Sequence, residues 1–270
     1  PRWKVILGYE SQDVGHQIDE WLDRIHPEDR EKAMSALRDH LAMRTSHYES
    51  EHRLRKRDGS WLWVRVRGQA VWDSVGRPSR MAGSMTDISL GKATEKRLVF
   101  EATHDVLTGL YNRRHAMAML SKQIHSARRY GYPVAVCLCD LDRFKSINDN
   151  FGHPVGDEML SRFGKLLTDQ LRAEDMAGRY GGDEFIVVFP HVSAVEAAFA
   201  VERIRRLFNE MHISGPDDET VTTTATFGIA DFTEEHNEAD DLVAAADVAL
   251  YKAKEAGRNR VYVEGRGLAD

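Results

Sequence analysis

The run Arg179-Tyr180-Gly181-Gly182-Asp183-Glu184-Phe185 constrains the fold of this chain more than any other stretch. Adjacent glycines admit backbone conformations closed to other residues, and Phe185-Ile186-Val187-Val188-Phe189 reads as a strand leaving a tight turn. The pattern predicts a hairpin of residues 176–180 with 185–189 whose turn carries two carboxylates. Asp183 and Glu184 offer the hard oxygens that Mg²⁺ prefers, and glycine lets a ligand approach the backbone closely. Taken alone, these residues favour an ordinary hairpin.

The wider chain sets the limits within which that turn acts. At 270 residues the length predicts two domains, each large enough for a core of its own. A formal net charge of −6 argues against a general nucleic-acid surface, so an anionic substrate needs a local basic cluster. The two cysteines, Cys137 and Cys139, alternate with apolar residues along one strand-like run, which predicts small core or half-buried positions and fits a reducing cytoplasm. No apolar run reaches the ~18 to 20 residues that a spanning helix requires. The first residue is not Met, and Pro1-Arg2-Trp3-Lys4 reads as the interior of a folded segment. The expectation is a piece of a longer protein whose first strands are absent and whose upstream sequence holds any membrane attachment.

Residues 1–89 form one unit by pattern. His26-Pro27-Glu28-Asp29 starts a helix with Pro in its first turn and acids at its N-terminus, and Met34, Leu37 and Leu41 follow at helical spacing. The period then changes to two, with strands expected over 48–57, 60–72 and 79–88. Asp58-Gly59 joins the first pair, and a turn with Gly76 and Pro78 joins the second. Leu62, Val64 and Val66 alternate with Trp61, Trp63, Arg65 and Arg67, giving one apolar face. In Leu7-Gly8-Tyr9, His26 to Arg30, Arg57 to Val64 and Gly83 to Ser89 this segment resembles the C-terminal part of a PAS domain, a module that senses small molecules, light or redox state or simply dimerises. The absence of cysteine from residues 1–100 excludes a flavin-adduct photosensor of the cysteine type. His16, His40, His47 and His52 are formal candidates for haem ligation, with surface or half-buried placement the favoured reading and the ligand left unknown.

Residues 90–104 are charged and helical in character, with Arg97 falling on the Leu90/Ala93 seam, so a short connecting helix is expected instead of a demonstrated coiled coil. From residue 105 helix and strand alternate: helix 113–129, strand 134–140, helix 156–171, the hairpin, helix 193–211, strand 220–230, helix 239–256 and strand 259–263. The order βαββαβ within this set is the ferredoxin-like topology, which makes the whole chain α+β. In that topology the hairpin lies beside strand 134–140 and brings Asp140 next to Asp183 and Glu184. Converging carboxylates repel unless a cation lies between them. The plain reading of Asp140 and Asp142 is a strand-end turn or helix cap.

At this spacing the chain resembles the GGDEF, or diguanylate cyclase, domain over residues 105–264, followed by a tail at 265–270. The resemblance rests on Asp105 to Arg114, Asp140 to Asn148, Phe151-Gly152-His153, Gly156-Asp157, Gly181 to Phe185 and Asp247 to Lys254. It implies condensation of two GTP molecules into cyclic di-GMP with release of pyrophosphate. It further implies a pair of Mg²⁺ or Mn²⁺ ions at each GTP site, held by Asp140, the Leu141 carbonyl and Asp183 with Glu184 assisting, and Asp183 as base for the 3′-hydroxyl. Asn148 and Asp157 fall on the guanine readers; the plain alternative is that Asn148 shapes a loop and Asp157 caps helix 156–171. Lys254 and Arg258, with Lys145 and backbone N–H groups near Phe144, fall on the triphosphate-binding positions and supply the expected basic cluster. Arg172 and Asp175 match the product-inhibition site, with Arg203 as a further contact, so cyclic di-GMP is expected as both product and inhibitor. One domain supplies one GTP site, so activity implies a homodimer, with residues 1–89 and the connecting helix setting its geometry. The competing reading is a catalytically silent GTP- or cyclic di-GMP-binding module of a larger signalling protein. The presence of Asp140, Asp183, Glu184, Asn148, Asp157 and Lys254 favours the enzyme.

Overall fold

The computed structural model describes residues 2–10, 18–216 and 219–268, and the chain divides between Leu98 and Val99 into two compact units. The first unit holds two short helices, α1 (Arg2–Ile6) and α2 (Ile18–Leu22), then α3 (Pro27–Leu41) and an antiparallel meander of β1 (Tyr48–Arg55), β2 (Trp61–Trp72) and β3 (Pro78–Asp87). The alternation along the middle strand works as expected: Val64 is fully buried and packs with Leu7, Leu22, Ile25, Ala33 and Leu54, while Arg65 and Arg67 face solvent. The acids at the start of α3 are used twice. They complement the helix N-terminus, and Asp29 takes both the backbone N–H of Arg53 (2.9 Å) and its guanidinium (2.8 Å), tying helix to sheet.

Among the histidines named for haem, His40 and His52 are fully buried, against the surface or half-buried placement expected, and His52 Nε2 has no hydrogen-bond partner among the described residues. His40 is buried, with Nδ1 3.1 Å from the Thr45 carbonyl and Nε2 accepting the Ala70 N–H at 3.0 Å, so both ring nitrogens are occupied. His52 is buried with Nδ1 beside the Ser50 hydroxyl, His47 is exposed beside Ser46 and Glu49, and His16 lies outside the described residues.

α4 (Ser89–Thr103) leads to the second unit, which is built on a seven-stranded sheet. Its elements run β4 (Tyr111–Asn112), α5 (Arg113–Tyr130), β5 (Val134–Leu141), α6 (Phe144–Phe151), α7 (His153–Gln170), β6 (Met176–Arg179), β7 (Glu184–Pro190) and α8 (Ala194–Asn209). A small hairpin of β8 (Ile213–Ser214) and β9 (Thr220–Val221) precedes β10 (Ala225–Asp231), α9 (Ala239–Glu255), β11 (Val261–Val263) and β12 (Gly267–Leu268). The sheet order β12-β11-β10-β5-β7-β6-β4 contains the antiparallel core β10-β5-β7-β6, the ferredoxin-like arrangement, with β11 added parallel to β10 and β4 parallel to β6.

Period-two alternation sorts the two faces. Ala135, Cys137, Cys139, Phe185 and Val187 join the core under α7 and α8, whereas Val134, Val136, Leu138, Ile186 and Val188 pack with α5 and α9. Both cysteines are therefore core residues, and burial pushes their thiols far above the ordinary range. Gly228 lies directly beneath α9, where an added Cβ would meet the Leu250 N and Ala246 O atoms, so glycine is what lets helix and strand approach so closely.

Several expected boundaries change. An extra helix, α6, follows β5 and turns at Gly152 (φ 84°), so the next helix begins at His153, earlier than residue 156. The strand expected over 220–230 is split between two partners: Thr220–Val221 pairs with β8, whereas β10, which pairs with β5, begins at Ala225. Residues Gly267–Leu268 of the expected tail pair with β11.

Candidate functional site

β5 is the central strand of the site. Its end places Asp140 opposite Glu184 of β7 on one side and Thr226 of β10 on the other, and the Leu141 N–H donates to the Asp183 carbonyl at 3.2 Å. Because even-numbered positions of β5 face α9, the Asp140 carboxylate meets Lys254 near the end of that helix, with Nζ 2.9 Å from Oδ2. Burial raises the Asp140 pKa above its ordinary value, the Lys254 ammonium opposes that rise, and the nearby charges of Asp183 and Asp142 add to it. The three acids predicted from sequence thus come from the adjoining ends of two central strands, with Lys254 paired to Asp140.

The donor set of Asp140, Asp183 and Glu184 is all oxygen, which suits a hard divalent ion. Among the described residues no three or more His, Cys, Asp or Glu side chains are close enough together to hold a metal ion by themselves. An ion there would need further oxygens from phosphate or water, as Mg²⁺ usually takes.

The glycine turn is held from outside by a residue that motif spacing did not single out. Arg179 donates from Nε and Nη2 to the Gly182 carbonyl (3.1 and 2.7 Å) and from Nη1 to both Asp105 oxygens (3.3 and 3.2 Å). Asp105 in turn accepts the Thr108 N–H and hydroxyl, so the start of the domain and the turn share one ion pair. Its position directly before Tyr180-Gly181-Gly182 was the available signal. Gly181 itself faces Glu184: a Cβ there would press on the Glu184 carboxylate, and the N–H groups of Tyr180 and Gly181 both donate to the Glu184 carbonyl.

On α6, Phe144 and Ile147 are buried while Lys145 is exposed, and Asn148 lies against Gly156 of α7, where a Cβ would collide with its amide oxygen. Asp157 follows Gly156 on the exposed surface of α7. It stands inside the helix, with Gly152 as the N-cap residue, so Asp157 does not cap the helix. α9 ends at Glu255, and Gly257 (φ 115°), Arg258 (φ 61°) and Asn259 (φ 45°) turn the chain back towards β11. Lys254 and Arg258 therefore stand on either side of one helix terminus.

The residues expected at the inhibitory site are also brought together. Arg172, Asp175 and Arg203 line a cavity of about 380 Å³ with His191, Glu196 and Phe199. Asp175 accepts the backbone N–H of Arg172 at 3.0 Å, and burial raises its pKa, while an Arg203 Nη2 donates to the Gln170 carbonyl at 2.7 Å.

The family model described as "Diguanylate cyclase, GGDEF domain" matches residues 102–260, and that described as "PAS fold" matches residues 1–85. The chain belongs to the GGDEF domain family. Its GGDEF domain is preceded by a PAS domain. The chain is 38% identical over 169 residues to the probable diguanylate cyclase DgcC of Escherichia coli K12, covering 63% of this chain and 45% of that protein. It is 40% identical over 161 residues to diguanylate cyclase DosC of the same strain, covering 60% and 35%. The chain thus spans less than half the length of these curated relatives. In structure it is similar to the GGDEF domain of DgcB from Caulobacter crescentus, solved in complex with c-di-GMP, with a TM-score of 0.58, 30% identity and coverage of 61% of this chain and 94% of that one. No helix among the described residues is long and apolar enough to cross a membrane.

Proposed function

We propose that this chain is a diguanylate cyclase that condenses two GTP molecules into cyclic di-GMP and two pyrophosphates across a homodimer. The observation that carries the reading is the meeting of Asp140 with Asp183 and Glu184 across β5 and β7, with Lys254 Nζ at 2.9 Å from Asp140. A GGDEF domain with named diguanylate cyclases among its relatives supports the reaction class.

The residues divide the work. Asn148, seated against Gly156, and Asp157 read the guanine edge: an amide pairs with its acceptor and donor, and a carboxylate accepts from N1–H and the exocyclic amine. Lys254, Arg258 and Lys145, with backbone N–H groups near Phe144, hold the triphosphate, so the local cations offset a chain of net charge −6. Asp140, Asp183, Glu184 and the Leu141 carbonyl would hold the pair of Mg²⁺ or Mn²⁺ ions, which when bound neutralise charge on the α-phosphate and sharpen the attacking oxygen. The 3′-hydroxyl proton passes to Asp183 as the 3′-oxygen bonds to the α-phosphorus of the facing nucleotide. The bond from that phosphorus to the bridging oxygen breaks, and pyrophosphate leaves. The same exchange in the opposite sense closes the ring, so two copies of the site must face each other.

The cavity of Arg172, Asp175 and Arg203 is assigned to binding of the product as an inhibitor, since guanidinium groups suit both phosphate and the Hoogsteen edge of guanine. The PAS domain is assigned to control of the dimer geometry. Incubation with GTP and Mg²⁺ followed by nucleotide analysis tests the reaction. Cyclic di-GMP from the wild type and none from Asp183→Ala is expected; intact GTP from a verified dimer would promote the silent binding module instead.

A further inference from the structure

We propose that Asp142 is a positioning residue for the triphosphate-binding cations, acting through the turn that follows α9. Its carboxylate is only 6% exposed and accepts from the hydroxyls of Thr224 (2.5 Å) and Thr226 (2.7 Å) and from the backbone N–H of Asn259 (3.1 Å). The Thr226 hydroxyl also accepts the Asn259 N–H at 3.0 Å. The Asp142 main chain is engaged as well: its N–H donates to the Thr224 carbonyl (2.8 Å) and its carbonyl accepts the Thr223 hydroxyl (2.6 Å). One residue thus joins the end of β5, the approach to β10 and the return from α9.

Two consequences follow from the place of those contacts. Asp142 lies two residues from Asp140, and Asn259 directly follows Arg258, so the contact ties the carboxylate strand to the segment that carries the cations. Arg258 and Asn259 are both in the left-handed region, which Asn tolerates but Arg occupies at a cost, and the Asp142 contact to Asn259 helps to hold the turn that imposes it. Arg205 adds to it, donating to the Asn259 carbonyl (3.2 Å) and side-chain oxygen (2.7 Å). The anchored turn also borders open space: Asp142, Arg143, Gly257, Arg258 and Asn259 line part of a cavity of about 470 Å³. Arg258 Nε stands 4.0 Å from Asp142 Oδ1, a long ion pair beyond hydrogen-bonding distance, and its half-exposed guanidinium remains available to an anion.

The inference rests on the assignment of Lys254 and Arg258 to the triphosphate. The test compares affinities for GMP and for a non-condensable αβ-methylene analogue of GTP in the full chain, with Asp142→Asn, Thr226→Val and Thr226→Ser. The wild type is expected to bind the triphosphate more tightly than GMP. Loss of one net hydrogen bond at the anchor should shrink that preference by about fivefold in Asp142→Asn and Thr226→Val, with GMP affinity unchanged. Thr226→Ser, which keeps the hydroxyl, should retain the wild-type preference. An unchanged preference in Thr226→Val or Asp142→Asn would overturn the proposal, as would equal loss of both affinities together with a lowered Tm, the signature of a merely structural role. No triphosphate preference in the wild type would instead remove the phosphate assignment beneath it.

Discussion

Lys254 and Asp140 form an ion pair at 2.9 Å, with side chains 29% and 17% exposed, linking the last turn of α9 to the end of the central strand β5. A carboxylate there is disfavoured by burial and by Asp183, and the ammonium opposes both. Lys254→Met therefore removes a counter-charge from Asp140 and a cation from the proposed phosphate site. GTP affinity should fall by about ten- to a hundredfold, the cost of one charge-assisted hydrogen bond, as read by calorimetric titration.

Arg179 holds the glycine turn to the start of the domain. Arg179→Ala leaves the exposed Gly182 carbonyl and the half-buried Asp105 carboxylate without their guanidinium partner. The expected cost is about 1–3 kcal/mol of stability, measured by denaturant unfolding, with a larger proportional loss of turnover because the turn carries Asp183 and Glu184.

Gly156 and Asn148 offer a test of base selection. A methyl group at Gly156 displaces the Asn148 amide, so Gly156→Ala should erode preference for GTP over ATP with little change in helix content. Competition binding with the two nucleotides measures this, and Asp157→Ser is expected to move the same way.

The PAS domain carries a pH dependence of its own. Burial lowers the His52 pKa from 6.5 to about 4, so the folded state holds fewer protons than the unfolded state between those values. Stability is fully present above about pH 6.5 and is lost as pH falls towards 4. Thermal unfolding of the wild type and His52→Phe across that range should show a smaller pH slope in the variant.

Much of this was legible from the chain because strands and helices announced themselves by period, and because carboxylates, amides and cations recur at informative distances. The hairpin, the burial of Cys137 and Cys139 and the approach of Asp140 to the glycine turn all follow from alternation and topology. What escaped was carried by single polar contacts across long sequence separations. Asp142 read as an ordinary strand-end acid because its partners Thr224, Thr226 and Asn259 lie far along the chain. Helix α6 is short, and its buried Phe144 and Ile147 fill only part of one face, too little for a periodic signal.

The cavity proposed to bind the product yields a separable outcome. Arg172→Ala should weaken inhibition by added cyclic di-GMP by about tenfold or more while initial turnover stays near that of the wild type, because its cavity lies outside the carboxylate cluster.

The central claim is that each chain supplies half of a reaction centre, and cyclic di-GMP formed per chain, measured against protein concentration alongside sedimentation, tests it most directly. Specific activity should rise with concentration and level off as the dimer saturates. Constant specific activity across a range in which sedimentation shows only monomer would contradict it.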